Sequence, residues 1–209
     1  MKKPKFVTGE EAAAMIKDDS TIATIGMTLV SASETILKAI EKRFLETGSP
    51  NHLTLVHSCG QSDRDRGIQH FSHEEMLYRI IGGHWGLQPR MMKLISENKI
   101  LAYCIPQGQF AQLYRSMAGG EPGKITKVGL GTFIDPRIDG GKMNAITKDA
   151  PDIVDVVTID GEEYMRYKPI PLDYCIIRGT YVDEMGNLTT DEEAMQLEVF
   201  SAVMACKKF

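Results

Sequence analysis

At 209 residues, 43% hydrophobic and 25% charged, with 19 glycines and 9 prolines, the chain holds enough apolar material for one sizeable core and too little bias for a low-complexity chain. A formal charge of -4, with no Lys/Arg run beyond Lys2-Lys3 and Lys207-Lys208, leaves no basic stripe for nucleic acid or an anionic membrane. No stretch reaches the ~20 apolar residues of a membrane span, and Met1 to Lys5 has no apolar core behind its charges for a signal peptide, so a cytoplasmic location is expected. Cys59, Cys104, Cys175 and Cys206 lie far apart without a C-x-x-C pair, as reduced core thiols do.

Thr8-Gly9-Glu10-Glu11 reads as a capping box opening a helix that ends near Asp18-Asp19. The short β-branched run Thr21 to Ile25 predicts a strand, stopped by Gly26, and a second box at Ser31-Ala32-Ser33-Glu34 predicts a helix carrying Ile36, Ile40 and Phe44. Next come a strand from Leu53 to His57, a polar loop from Ser58 to Gly67, a helix around Glu74 to Ile80 and a Pro89-initiated helix to Asn98. A strand from Ile100 to Cys104, the turn Ile105 to Gly108 and a helix from Gln109 to Met117 continue the alternation. The fold class is therefore α/β, an open, mostly parallel sheet flanked by helices. Asp160-Gly161 between Val154 to Ile159 and Glu162 to Tyr167 signals an antiparallel hairpin added at the sheet edge. Leu172 to Arg178 reads as a further buried strand. Asp183 to Asn187 turns the chain into a short strand, and Thr190 to Glu193 caps a last helix bearing Ala194, Leu197, Phe200 and Met204. One domain over residues 1-209 is expected. In an alternating α/β chain a helix of this kind is normally followed by another strand, so a further strand is expected after it.

In sheets of this class ligands bind beyond the carboxyl ends of the strands, which singles out Gly26 to Ser31, Ser58 to Gly67, Pro106 to Gln109 and Gly129 to Gly141. Gly26-Met27-Thr28 lacks the glycine spacing of a dinucleotide loop, so a simple tight turn is an open alternative there. Gln107, leaving a strand end beside a helix N-terminus, offers an amide donor to a carboxylate or thioester oxygen; a solvated turn glutamine is the other reading. His70 and His73 match no metal site with a mechanism, and no metal is expected. Trp85, alone of its kind between Gly83 and Gly86, predicts a buried aromatic anchor. No nucleophile elbow, Walker loop or H-E-x-x-H occurs.

The ordered set Asp63-Arg64-Asp65-Arg66-Gly67, Gly82-Gly83-His84-Trp85-Gly86 with Pro89-Arg90, Pro106-Gln107-Gly108, and Gly129-Leu130-Gly131-Thr132-Phe133-Ile134-Asp135-Pro136-Arg137 with Gly140-Gly141-Lys142 resembles the first half of the family I CoA-transferases. The branch it is most similar to is the single-chain acetate/propionate type. The resemblance implies an acyl-CoA:carboxylate CoA-transferase for short acyl groups, with coenzyme A as substrate and no other cofactor. It implies ping-pong exchange through a glutamyl-CoA thioester, whose glutamate lies in a second half as a short E-x-G motif after a strand. No catalytic residue is expected in this chain: Glu46-Thr47-Gly48, Glu121-Pro122-Gly123 and Glu184-Met185-Gly186 read as solvated caps and turns. By matching position Gln107 is the residue most suited to touch the reacting carboxyl, with Gly26 and Gly108 shaping the pocket; Thr28 lies in a loop that departs from the glycine-rich form of many relatives. The expected partners are acyl-CoA, short carboxylic acids, a second half in cis or trans, and further copies in a homo-oligomer. A sugar-phosphate isomerase-like or sensor domain and a non-catalytic interaction domain are the alternatives.

Overall fold

The structure, a computed structural model, describes residues 4–206. Its centre is a five-stranded, wholly parallel sheet of β1 (Thr21–Thr24), β2 (Leu53–His57), β3 (Leu77–Gly82), β4 (Leu101–Cys104) and β8 (Tyr174–Ile176), in the order β4-β3-β2-β1-β8. Both faces are buried, so successive residues serve different cores. Ile22, Leu55, Ile80 and Ala102 face α1 (Gly9–Met15), α2 (Glu34–Thr47), α3 (Pro89–Ser96) and a 3-10 turn over Gly67–Phe71. Their neighbours Ala23, Val56, Ile81 and Tyr103 face α4 (Gln107–Ala118) and α6 (Val199–Ala205), which contribute Phe110, Tyr114, Val199 and Ala202.

The hairpin forms where expected: β6 (Val154–Ile159) and β7 (Glu162–Tyr167) turn at Asp160 and Gly161, both with positive φ. It does not extend the parallel sheet. With β5 (Lys124–Thr126) it makes a separate antiparallel sheet, which brings Val154, Met165 and Tyr167 into the core under α4. The edge of β4 is covered instead by residues 141–143, through Cys104 N–H to the Gly141 carbonyl and Met143 N–H to the Ala102 carbonyl. A four-residue α5 (Ala145–Lys148) follows, and a two-stranded ribbon, β9 (Tyr181–Val182) with β10 (Leu188–Thr189), turns over Asp183 to Asn187.

Three local expectations are corrected. The helix predicted over Glu74 to Ile80 is absent, and Leu77–Gly82 is a strand between β2 and β4. Its Ile80-Ile81 pair is buried on both sides, and a short apolar run of this kind has no polar face to hold a surface helix. The capping box at Ser31 does not form. Its hydroxyl donates to Glu193, while the Glu34 carboxylate accepts from Gly67 N–H and His70, so the first residue of α2 follows an uncapped Ser33. The last helix begins at Val199, not after Thr190. A continuous helix would set residues 193 and 198 about 140° apart, yet both Glu193 and Glu198 are drawn into buried contact with loops of the sheet.

Candidate functional site

Four loops follow the carboxyl ends of β1 to β4 and touch in series. Thr28 N–H donates to the Gly60 carbonyl at 3.1 Å, joining the first loop to the second. Gly83 N–H donates to the Ser58 carbonyl at 3.2 Å, joining the second to the third. A side chain at Gly83 would meet the Ser58 carbonyl oxygen at 2.4 Å and Gln107 Cγ at 2.6 Å, so the third loop lies directly against the fourth. The result is a continuous crest of small and polar residues along one edge of the sheet.

Gln107 is exposed at the first turn of the 12-residue α4, immediately after β4, and Gly108 beside it opens on free space. Backbone N–H groups at such a helix start favour anionic oxygen. Gly26 serves the turn itself: its φ of +151° and the Val30 carbonyl oxygen, 2.8 Å from where a Cβ would stand, admit no side chain. Thr28 is exposed, but its hydroxyl donates to the Met27 carbonyl at 2.6 Å. Gly26 and Thr28 therefore belong to the same crest as Gln107 without adjoining it, since β1 and β4 are three strand spacings, about 14 Å, apart. An open cleft of about 490 Å³ lies at the other end of the crest, between the start of α2 and residues 177–182. There β1 and β8 part, at the switch point of the sheet. Its two charged lining residues are engaged, Arg178 with Glu193 and Glu34 with His70. The Gly129 to Gly141 loop is not a strand-end loop of the parallel sheet. Asp135 ties it, accepting from Gly131 N–H and Arg137, and its carboxyl is held below the usual range chiefly by the Arg137 hydrogen bonds.

The second loop is anchored from beneath. His57 Nδ1 donates to the Cys59 carbonyl at 2.9 Å and Nε2 accepts from Trp85 Nε1 at 3.1 Å, which sets a neutral tautomer. Trp85 is 6% exposed, the buried anchor its setting predicted. Burial lowers the His57 pKa from 6.5 to about 4. Between those values the unfolded chain binds one more proton than the fold, so stability falls as pH drops through that window, by about 3 kcal/mol in total. Acid unfolding followed by Trp85 fluorescence should show this slope, and His57→Gln should flatten it; an unchanged slope would mean that other groups carry it. His70 in the 3-10 turn and His73 just after it tie the end of this loop to α2, both contacting Glu41, with His70 also on Glu34 at 2.8 Å.

Glu46 at the end of α2, Glu121 after α4 and Glu184 in the ribbon turn are all exposed. Two carboxylates that sequence reasoning did not place at the site are buried at the crest. Glu198 accepts from Ser58 Oγ at 2.5 Å and Glu193 from Ser31 Oγ at 2.7 Å. Burial raises the Glu198 pKa, since only Ser58 offsets the loss of water. Glu193 in addition meets Arg178 Nε at 2.9 Å. No local pattern points to these contacts: Glu193 read as part of a helix cap, and nothing marked Glu198.

An open parallel α/β sheet with its polar loops gathered beyond the strand ends is a scaffold for binding small molecules. The sequence pattern of the family described as Coenzyme A transferase matches residues 6–206, and the chain belongs to that family, as its N-terminal, alpha-like half. A caffeate CoA-transferase of Acetobacterium woodii is 40% identical over 204 residues, covering 97% of this chain and 38% of that protein. The acetate CoA-transferase YdiF of Escherichia coli (strain K12) is 36% identical over 201 residues, covering 95% of this chain and 38% of that protein. The solved structure of YdiF from Escherichia coli O157:H7 as a thioester complex with CoA superposes with a TM-score of 0.91 at 34% identity, over 98% of this chain and 43% of that one. The chain thus spans about 38% of the length of these curated relatives.

Proposed function

We propose that this chain supplies the acyl-carboxylate pocket of a CoA-transferase whose nucleophilic glutamate and most CoA contacts belong to a second half, in cis or trans. The observation that carries the reading is the extent of the match: nearly the whole chain aligns with relatives named as CoA-transferases, yet it spans about 38% of their length. The three E-x-G sequences within it are exposed on a helix end and turns.

In the proposed cycle the second half's carboxylate attacks the acyl-CoA carbonyl, giving an acyl-glutamyl anhydride and releasing CoA thiolate. The thiolate then attacks the glutamyl carbonyl, which forms the glutamyl-CoA thioester and frees the first acid. A second acid reverses both steps and leaves with CoA. Each addition places negative charge on a carbonyl oxygen, and donors fixed where that charge develops lower the barrier. Gln107 Nε2 and the first N–H groups of α4 are proposed as those donors, with Gly108 leaving room for the acyl group and the Gly26–Thr28 turn closing the far end of the crest. The anhydride survives only where water is excluded, and the open crest requires the second half as its cover.

Short acids such as acetate and propionate are the proposed substrates. An aromatic acid is the second reading, favoured by the relative named for caffeate at 40% identity. The test is CoA exchange from acetyl-CoA to propionate or caffeate, by the chain alone and with the second half supplied. Activity only with the second half is expected. Robust activity of the chain alone, abolished by mutating Glu46, Glu121 or Glu184, would overturn the reading.

A further inference from the structure

We propose that residues 190–198 act as a two-point brace on the crest, with Glu193 and Glu198 as positioning residues for the acyl site. The inference rests on the reading of the crest as that site. Both contacts join a carboxylate to a serine hydroxyl where all four residues are buried: Ser31 is 3% exposed, Ser58 1%, Glu193 8% and Glu198 5%. Carboxylates are rarely placed there, because removal from water costs several kcal/mol unless partners compensate. Glu193 has a guanidinium partner in Arg178, whereas Glu198 has only the Ser58 hydroxyl among the described residues. Packing alone needs no such groups, since an apolar side chain would fill either place without the desolvation cost.

The two serines occupy the points from which the crest is controlled. Ser58 is the first residue after β2; its carbonyl takes the Gly83 N–H, and Gly83 has no space between Ser58 and the Gln107 stem. A shift of Ser58 therefore passes by direct contact to Gln107. Ser31 closes the first loop in a left-handed conformation, φ +58°, and the Val30–Ser31 backbone crowds Gly26. The Thr28–Gly60 hydrogen bond then couples the two braced loops. Glu198 is the residue that leads into α6, whose Val199 and Ala202 pack with Phe110 and Tyr114 of α4, while Glu193, in the turn before it, is tied to Arg178 and, through its carbonyl, to Gln196 Nε2. One short segment thus sets the relative position of the loops after β1 and β2, and through Gly83 that of the loop after β4.

The test uses the complete enzyme with its second half. Glu198→Ala and Ser58→Ala should each lower kcat by about 10-fold or more with a smaller change in KM, and the double variant should be no worse than either single one, because both remove one contact. Glu198→Gln keeps an oxygen to accept from Ser58 and should retain activity within about 3-fold, a rescue that simple loss of packing would not give. Hydrogen exchange supplies a readout independent of turnover. Glu198→Ala should speed exchange at Gly83 and across residues 57–67, and Glu193→Ala across residues 26–31, with global protection kept. Should Glu198→Ala fail to fold, Ser58→Ala and Glu198→Gln carry the same comparison. Unchanged exchange in these loops, or additive losses in the double variant, would overturn the brace. If the unmutated enzyme moves no CoA while the loops loosen as described, the proposed function fails and the brace stands.

Discussion

Replacing Gln107 with alanine in the complete enzyme is expected to lower turnover on the order of 10²-fold or more, the usual cost of removing one donor to a developing oxyanion. The fold should be unaffected, because Gln107 is exposed and its side chain makes no hydrogen bond to the other described residues. Gln107→Glu should be at least as damaging, since it sets a negative charge beside an incoming carboxylate. The kinetic split identifies the role: equal losses in kcat and kcat/KM mark an interaction made in the transition state, and a raised KM with unchanged kcat marks substrate positioning. Normal turnover in a folded Gln107→Ala protein would remove Gln107 from the site. Gly108→Ala is a useful companion. The position has open space around it and lies in the first turn of a helix, so stability should hold or rise slightly while any substrate using that space is excluded.

Gly67→Ala is expected to destabilise the protein by about 4 kcal/mol, among the larger effects of a single substitution. Gly67 has φ +71°, and a Cβ there would lie 1.9 Å from the Gln61 carbonyl oxygen. That oxygen accepts the Ile68 N–H at 2.8 Å, the bond that closes the second loop onto its 3-10 turn. Left-handed strain adds about 1–2 kcal/mol to the displacement of this bond. Urea unfolding should show the lower midpoint, and a loss under about 1 kcal/mol would mean that the loop re-forms around the new methyl group. Because the loop carries Ser58 and Gly60, folded Gly67→Ala protein should also show faster exchange at Thr28 and Gly83, whose N–H groups bond to those carbonyls.

The sequence alone determined what rests on windows of a few residues. The Thr8 capping box, the Pro89 helix start and the Asp160-Gly161 turn each form within such a window, and each stands where its residues predicted. Short β-branched or apolar runs placed β1, β2 and β4, and their alternation with helices was enough for the parallel sheet. Gln107 was legible as a strand-end amide beside a helix start, and Trp85 as a buried anchor. Only the tertiary structure decided the rest. Residues 77–82 became a strand because β2 and β4 leave a place between them that needs apolar side chains on both faces, and a run this short carries no period to reveal it. The partners of Ser31 and Ser58 lie 162 and 140 residues away along the chain. No local pattern encodes such contacts, so Ser31 and Glu193 read as parts of helix caps and nothing in the sequence singled out Glu198. Burial then changed the chemistry of Glu198, whose pKa is raised because the surrounding elements remove its water.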